Sequence, residues 1–489
     1  MLNPRWGQQR LSGRALALLG LLAFFLFLPG RASTPPFDRD EPRYMEATAQ
    51  MLESGNFVDV RFQDKPRYLQ PAGIYWLEAA SVAATGTLKS RAVWAYRLPS
   101  LLAMTAAVVL TAWMGSTLFG ATAGLGAGLL LMVSVLVTAE NRMGTIDSTL
   151  LLSVLLAQAG LLRALCDREA ERPTPLSTAL LYWGAIGCGL MLKGPVILIP
   201  SLATPLCLAA VERNFTLWRR LRPAWGWLVS LAILLPWCIA IGVVSHGEFF
   251  RRAVGTNFLG KVASGQQAHG LPPGYHLLVF LIAFWPGSFF AAAALPAVWK
   301  SRKTLPVKYL LCWIIPHWVV FEAIATKLPH YVLPTYPAIA ILTAGMLAQG
   351  TPVWAGWPRA VWARLALGAY GVLWTIAGVA LALGWSRAAV ETGACGLSRS
   401  THSGGREPAA HRPVCGLYLP VRAAQGRADQ CSLCHAALYR AVSGGGAAPA
   451  KHLAGSAPDR TGRGASALCA DRSLVRFIFR AEPCVPNGR

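Results

Sequence analysis

Apolar residues fall in long uninterrupted runs, at approximately 15–30, 98–118, 121–139, 147–165, 176–192, 195–211, 224–244, 275–298, 308–326, 331–348 and 361–385. A helix needs about 20 such residues to cross the hydrocarbon core of a bilayer. Eleven runs of this kind predict an all-α polytopic membrane protein with about eleven transmembrane helices. The first run, Ala15 to Leu28, is short and follows Arg5, Arg10 and Arg14, as the apolar stretch of a signal peptide would. No clean small-x-small cleavage site follows it, and the reading taken is a membrane anchor.

Composition agrees with the pattern. The 489 residues are 54% hydrophobic and 14% charged, against about 25% charged in soluble domains. The 18 tryptophans suit interfacial belts. A net charge of +23 would suit a nucleic-acid partner, but the basic residues sit in short clusters between apolar runs. That distribution excludes a continuous nucleic-acid face. It sets orientation instead, because Lys and Arg gather in cytoplasmic loops. With the N-terminus cytoplasmic, the inner segments 1–14, 163–175, 212–222, 300–308 and 349–364 hold 16 basic residues against four acids. The same alternation puts 31–97, 140–146, the turn at Lys193, 245–274 and 327–330 on the outer, periplasmic side of a bacterial inner membrane.

The long outer loop 31–97 carries eight of the chain's 22 acids. Asp40-Glu41-Pro42 opens a helical pattern with Tyr44, Met45, Thr48, Met51 and Leu52 on one face and Gly55 as its stop. A second pattern, Ile74 through Ala84, reads as a helix lying on the membrane surface. Two regions result: a transmembrane region over 1–393 and a tail over 394–489. The tail has six of the 11 cysteines, strings of Gly, Ala, Arg and Pro, and no period of 3.6 or 2. It reads as disordered or as the product of a shifted frame. Cys431-Ser432-Leu433-Cys434-His435 has the spacing of c-type haem attachment, but nothing around it predicts helices that would enclose a porphyrin.

Candidate chemistry collects at the outer interface. Asp40 and Asp147 are carboxylates that can accept a proton, orient a hydroxyl or, as a pair, hold a divalent cation; each is also placed to cap a helix. No metal or cofactor is required by the pattern. Arg43, Lys65, Arg67, Arg142, Lys193, Lys327 and His330 lie at outer span ends, against the cytoplasmic bias of positive charge. Phosphate recognition calls for such cations, although snorkelling toward headgroups accounts equally for some of them. Lys193 interrupts an otherwise apolar hairpin. Lys327-Leu328-Pro329-His330-Tyr331 opens a stretch with three prolines in nine residues, where broken helix lines a cavity or forms a kinked hairpin.

Asp40-Glu41-Pro42-Arg43-Tyr44, Met51-Leu52-Glu53-Ser54-Gly55, Tyr75-Trp76-Leu77, Leu192-Lys193-Gly194-Pro195 and Lys327-Leu328-Pro329-His330-Tyr331 occur in that order. The ordered set resembles the bacterial branch of the dolichyl-phosphate-mannose protein mannosyltransferase family (glycosyltransferase family 39/83), which takes in the lipid A 4-amino-4-deoxy-L-arabinose transferases. The resemblance covers about 14–385. It implies a GT-C fold and an integral-membrane glycosyltransferase moving sugar from an undecaprenyl-phosphate-linked donor to lipid A or another envelope acceptor at the periplasmic face. It implies that Asp40 is the principal carboxylate and Asp147 its partner. Arg43 and Tyr44 would shape the site, Lys193 would hold the donor phosphate, and Lys327, His330 and Tyr331 would line the cavity. His269 falls where the family often has a functional histidine. The chain departs from the family at Leu69-Gln70-Pro71, where basic residues usually precede the proline; Lys65 or Arg67 is the expected substitute. A lipid or sugar flippase, and a truncated binder of lipid-linked sugar, are the alternative readings.

Overall fold

In the computed structural model the described residues are 10–36, 40–253, 255, 271–349, 365, 368–376 and 378–379. All belong to one compact unit, Met1–Glu407. The tail and its Cys-His motif lie outside the described residues, as does most of the 361–385 run.

Apolar helices dominate. Those long and apolar enough to cross a bilayer include Leu98–Phe119, Ile146–Glu169 and Pro223–Val244, together with the run Pro329–Ala348. Leu176–Glu212 is one apolar run of 37 residues, too long for a single crossing at about 1.5 Å per residue. It reverses just after Lys193, where Gly194 takes φ 65° and a 3-10 turn, Gly194–Ile197, leads into Leu198–Glu212. The Tyr182 hydroxyl therefore donates to the Ser201 carbonyl at 2.6 Å. Gln158 ties the second arm to Ile146–Glu169 through the Pro200 carbonyl and Thr204 Oγ1. The Leu305–Ala323 helix joins this core where Tyr309 Oη donates to Gln158 Oε1 at 2.9 Å.

Two runs expected as single straight spans are broken. Ala121–Val133 and Val135–Asn141 meet at 63° across Ser134, whose hydroxyl donates to the Ala283 carbonyl. Tyr275–Ala283 and Gly287–Ser301 diverge by 117°. Pro286 supplies no amide to continue the first helix and starts the second in a new direction.

The first loop forms a cap on one end of the bundle. Asp40–Ser54 buries Tyr44, Thr48 and Met51 against Gly73–Thr85, which buries Tyr75, Glu78 and Val82. Gly55, at φ 69°, ends the first of these helices. A two-residue antiparallel pairing, Arg61–Phe62 with Lys65–Pro66, links them. Gly73 decides where the cap sits: a Cβ there would stand 2.5 Å from the Met191 carbonyl oxygen. Only glycine lets this helix rest on the backbone two residues before Lys193.

A buried ion pair locks the cap to the spans. Arg97 and Glu41 side chains are both fully buried. The guanidinium donates to both carboxylate oxygens at 2.7 and 2.9 Å, and Glu41 Oε1 also accepts from the Gly144 amide at 2.7 Å. Arg31 completes the lock, donating to the Arg97 carbonyl and to Asn141.

Candidate functional site

The segments expected on one side of the membrane do converge on one end of the bundle. Asp147 begins Ile146–Glu169, Lys193 ends Leu176–Lys193, and His330 lies in the 3-10 turn Pro329–Thr335. Helix termini from three parts of the chain thus deliver polar groups that the helix interiors exclude. Lys193 Nζ donates to Asp147 Oδ1 at 2.5 Å. On the other carboxylate oxygen, His330 Nε2 stands 3.9 Å from Asp147 Oδ2. The opposite ring nitrogen, Nδ1, faces Glu140 Oε1 at 3.4 Å. Tyr331 presents its ring 5.7 Å below the Lys193 ammonium, within cation–π range. The Asp147–Lys193 pair is partly exposed, at 11% and 22%, so a polar ligand can reach it.

The cap adds a second group beside the first. Asp40 is approached by Arg43 at 3.5 Å and Arg67 at 3.8 Å. Arg67, nearly buried, donates from Nε to the Tyr75 hydroxyl at 2.8 Å and stacks 5.0 Å from the Tyr44 ring centre. Gln70 donates to the Tyr44 hydroxyl. Burial drives the Tyr44 phenol well above its ordinary value; Tyr75 adds to the rise, Arg67 opposes it, and the charges of Asp40 and Asp147 add smaller increments. Tyr44 therefore lies within Coulombic range of both carboxylates. Burial likewise raises Tyr75, to about 12, despite Arg67.

Not every expected residue joins them. Lys65 is exposed on its short strand and engages neither group. Lys327 is buried, and its ammonium donates to the Ile324 carbonyl at 2.6 Å. Arg142 donates to the carbonyls of Pro29 and Thr138 and so serves the packing of the turn. His269 lies outside the described residues. Glu140, Tyr75 and Gln70 enter the site without having been named as candidates for it. Glu140 stands at the end of a broken span with Asn141 and Arg142, and its place seven residues before Asp147 was the available signal. Among the described residues, Glu140, Asp147 and His330 offer ligand atoms within 4.8 Å of one another, a spacing that fits a divalent cation. The Lys193 ammonium already occupies one face of that group.

A bent all-α bundle under a helical cap, with cations and carboxylates gathered at its end, defines a polytopic membrane protein of GT-C-like architecture. Its family resemblance is specific. Residues 19–246 match the profile of dolichyl-phosphate-mannose-protein mannosyltransferase. The undecaprenyl phosphate-alpha-4-amino-4-deoxy-L-arabinose arabinosyl transferase of Pectobacterium atrosepticum is 25% identical over 353 residues, 70% of this chain and 60% of that protein. The enzyme of the same name from Edwardsiella ictaluri is 28% identical over 341 residues, 69% and 59% of the two chains. The crystal structure of ArnT from Cupriavidus metallidurans bound to undecaprenyl phosphate superposes with a TM-score of 0.60 at 23% identity, covering 68% of this chain and 59% of that one. The fold is shared. This chain spans about 60% of the length of the curated relatives it matches.

Proposed function

We propose that this chain is an inner-membrane glycosyltransferase that moves a sugar from an undecaprenyl-phosphate-linked donor to lipid A or another envelope acceptor. The observation that carries the reading is the Asp147–Lys193 pair flanked by His330 and Tyr331, within electrostatic reach of the Asp40 group. The names of the relatives supply the donor and sugar class. The distribution of basic residues favours a cytoplasmic N-terminus and a periplasmic site, and the transferase region is 1–393, with 31–97 as its outer loop.

In this mechanism the polyprenyl tail remains in the bilayer and the donor phosphate takes Lys193. The bond from the anomeric carbon to phosphate oxygen breaks as the acceptor oxygen attacks, so negative charge grows on the departing phosphate. Lys193 and His330, with Arg67 and Arg43 facing it from the cap, are the cations placed to stabilise that charge. Asp40 takes the proton of a hydroxyl acceptor; a phosphate acceptor needs no base. A divalent cation held by Glu140, Asp147 and a neutral His330 would supply the leaving group with positive charge in place of the imidazolium.

The test is sugar transfer in membranes carrying the full chain, supplied with the undecaprenyl-phosphate-linked sugar and lipid A. Asp40→Asn should lower transfer to a hydroxyl of the acceptor at least a hundredfold, within the usual contribution of a general base, with membrane insertion unchanged. Wild-type transfer in that variant removes Asp40 from the mechanism.

A further inference from the structure

An apolar groove starts within one helical turn of Lys193 and runs toward the opposite end of the bundle. The groove, of about 340 Å³, runs between Leu176–Lys193, the start of Leu198–Glu212, and Pro223–Val244, walled by Trp183, Ile186, Leu190, Leu202, Trp218 and Trp227. Three of its four polar side chains are satisfied internally. Trp183 Nε1 donates to the Leu221 carbonyl, Ser230 Oγ to the Trp183 carbonyl and Trp227 Nε1 to the Ala224 carbonyl. The wall therefore offers almost entirely apolar surface on the outside of the bundle, with Trp227 and Leu228 about half exposed.

The charge at one end identifies the occupant. Trp218 is followed by Arg219, and Pro223 is preceded by Arg222; both arginines are exposed. Neither meets a carboxylate among the described residues, and the acid nearest in sequence, Glu212, is committed to Arg168 and Lys308. Arg222 reaches only the Thr174 carbonyl, at 3.4 Å. That contact places this end beside the start of Leu176–Lys193. Eighteen helical residues, about 27 Å at 1.5 Å per residue, separate it from Lys193. That is close to the thickness of the hydrocarbon core, so these arginines meet the bilayer surface opposite the Asp147–Lys193 site.

We propose that this groove binds an anionic glycerophospholipid from the opposite leaflet, with its phosphate on Arg219 and Arg222 and an acyl chain along Trp218, Trp183 and Leu202. Arginine suits a phosphate diester as a bidentate partner, and tryptophan suits the boundary between headgroup and chain.

The test uses the detergent-purified full chain and native mass spectrometry with added phosphatidylglycerol or phosphatidylcholine. Phosphatidylglycerol should bind in preference and raise the melting temperature. Arg219→Gln with Arg222→Gln should weaken that binding about fivefold per arginine, roughly 25-fold together, from about 1 kcal/mol per basic residue at an anionic surface. Leu202→Trp, which fills the groove, should weaken both lipids alike. If that variant misfolds, the surface arginine variants still decide the matter. Equal retention of the two lipids, or unchanged phosphatidylglycerol binding in the double arginine variant, overturns the proposal. So does displacement of phosphatidylglycerol by undecaprenyl phosphate with a loss that follows Lys193→Met, which would give the groove to the donor tail. None of these outcomes depends on sugar transfer.

Discussion

The Arg97–Glu41 lock gives a sharp test of how burial, rather than geometry, sets the worth of an ion pair. Arg91 is a natural control: it pairs with Glu46 at 3.0 Å and Glu53 at 2.7 Å, distances like those at Arg97, but its side chain is 42% exposed. Solvent-exposed pairs contribute about 0–1 kcal/mol, so Arg91→Met should be nearly silent. Arg97→Met removes a guanidinium that serves Glu41 and also donates to the carbonyls of Arg31 and Thr34 at 2.8 Å and Pro35 at 3.2 Å. Leaving one buried charge without its counter-ion costs about 3–5 kcal/mol. Each carbonyl that loses its donor adds about 1 kcal/mol, less where water enters. The expected loss is about 6 kcal/mol, and adding Glu41→Gln, which removes the stranded charge while keeping an acceptor for the Gly144 amide, should restore about half of it. Unfolding in mixed micelles of increasing sodium dodecyl sulfate, followed by tryptophan fluorescence, measures all four proteins. An Arg97→Met variant no less stable than Arg91→Met would refute the reasoning, as would a double variant no better than Arg97→Met alone.

Further variants probe the cap and the site. Glu78 is fully buried, its Oε2 accepting from Thr48 at 2.7 Å, and burial holds its carboxyl well above the usual range. The folded state therefore keeps a proton that the unfolded chain releases near its ordinary value of about 4.3, so this group's contribution to stability falls as pH rises above that value. Glu78→Gln should flatten that fall, seen in melting temperatures across pH 5 to 8; an unchanged slope would show that Glu78 is ionised in the fold. Lys193→Met should weaken undecaprenyl-phosphate binding about 10- to 100-fold, the worth of a charge-assisted hydrogen bond. Asp147→Asn releases the ammonium and should tighten binding while lowering transfer; calorimetry in nanodiscs reads both, and weaker binding in Asp147→Asn would contradict the assigned roles. Gly73→Ala puts a Cβ 2.5 Å from the Met191 carbonyl oxygen, lifting the cap from Lys193. Donor binding should fall at least tenfold with a smaller loss of melting temperature, and unaltered binding would mean that the cap contributes nothing to the phosphate site.

What could be read from the sequence follows from what hydropathy encodes. A bilayer imposes one length on every crossing, so runs such as 147–165 and 224–244 became the helices Ile146–Glu169 and Pro223–Val244 with ends displaced by a few residues. The 275–298 run was apolar enough to mask its own break: Pro286 and Gly287 stood in view, but average hydropathy is blind to direction, and the two halves diverge by 117°. Alternation of the loops brought Asp147, Lys193 and His330 to one end before any contact was known, because a chain that crosses repeatedly leaves its odd and even turns on opposite sides. Partner choice at that end obeys different rules. Arg97 and Arg91 look alike in sequence, each a cation in the same outer loop, and only packing makes one a lock and the other a surface pair. Lys327 beside His330 looked equally available to a ligand, and a backbone carbonyl three residues away took its ammonium. Such outcomes depend on how closely backbones approach, as Gly73 approaches Met191, and a glycine's missing Cβ has no hydropathic signature. The spans thus bring the charged groups to one end of the bundle, while a few tight backbone contacts decide which of them remain free to meet a phosphate.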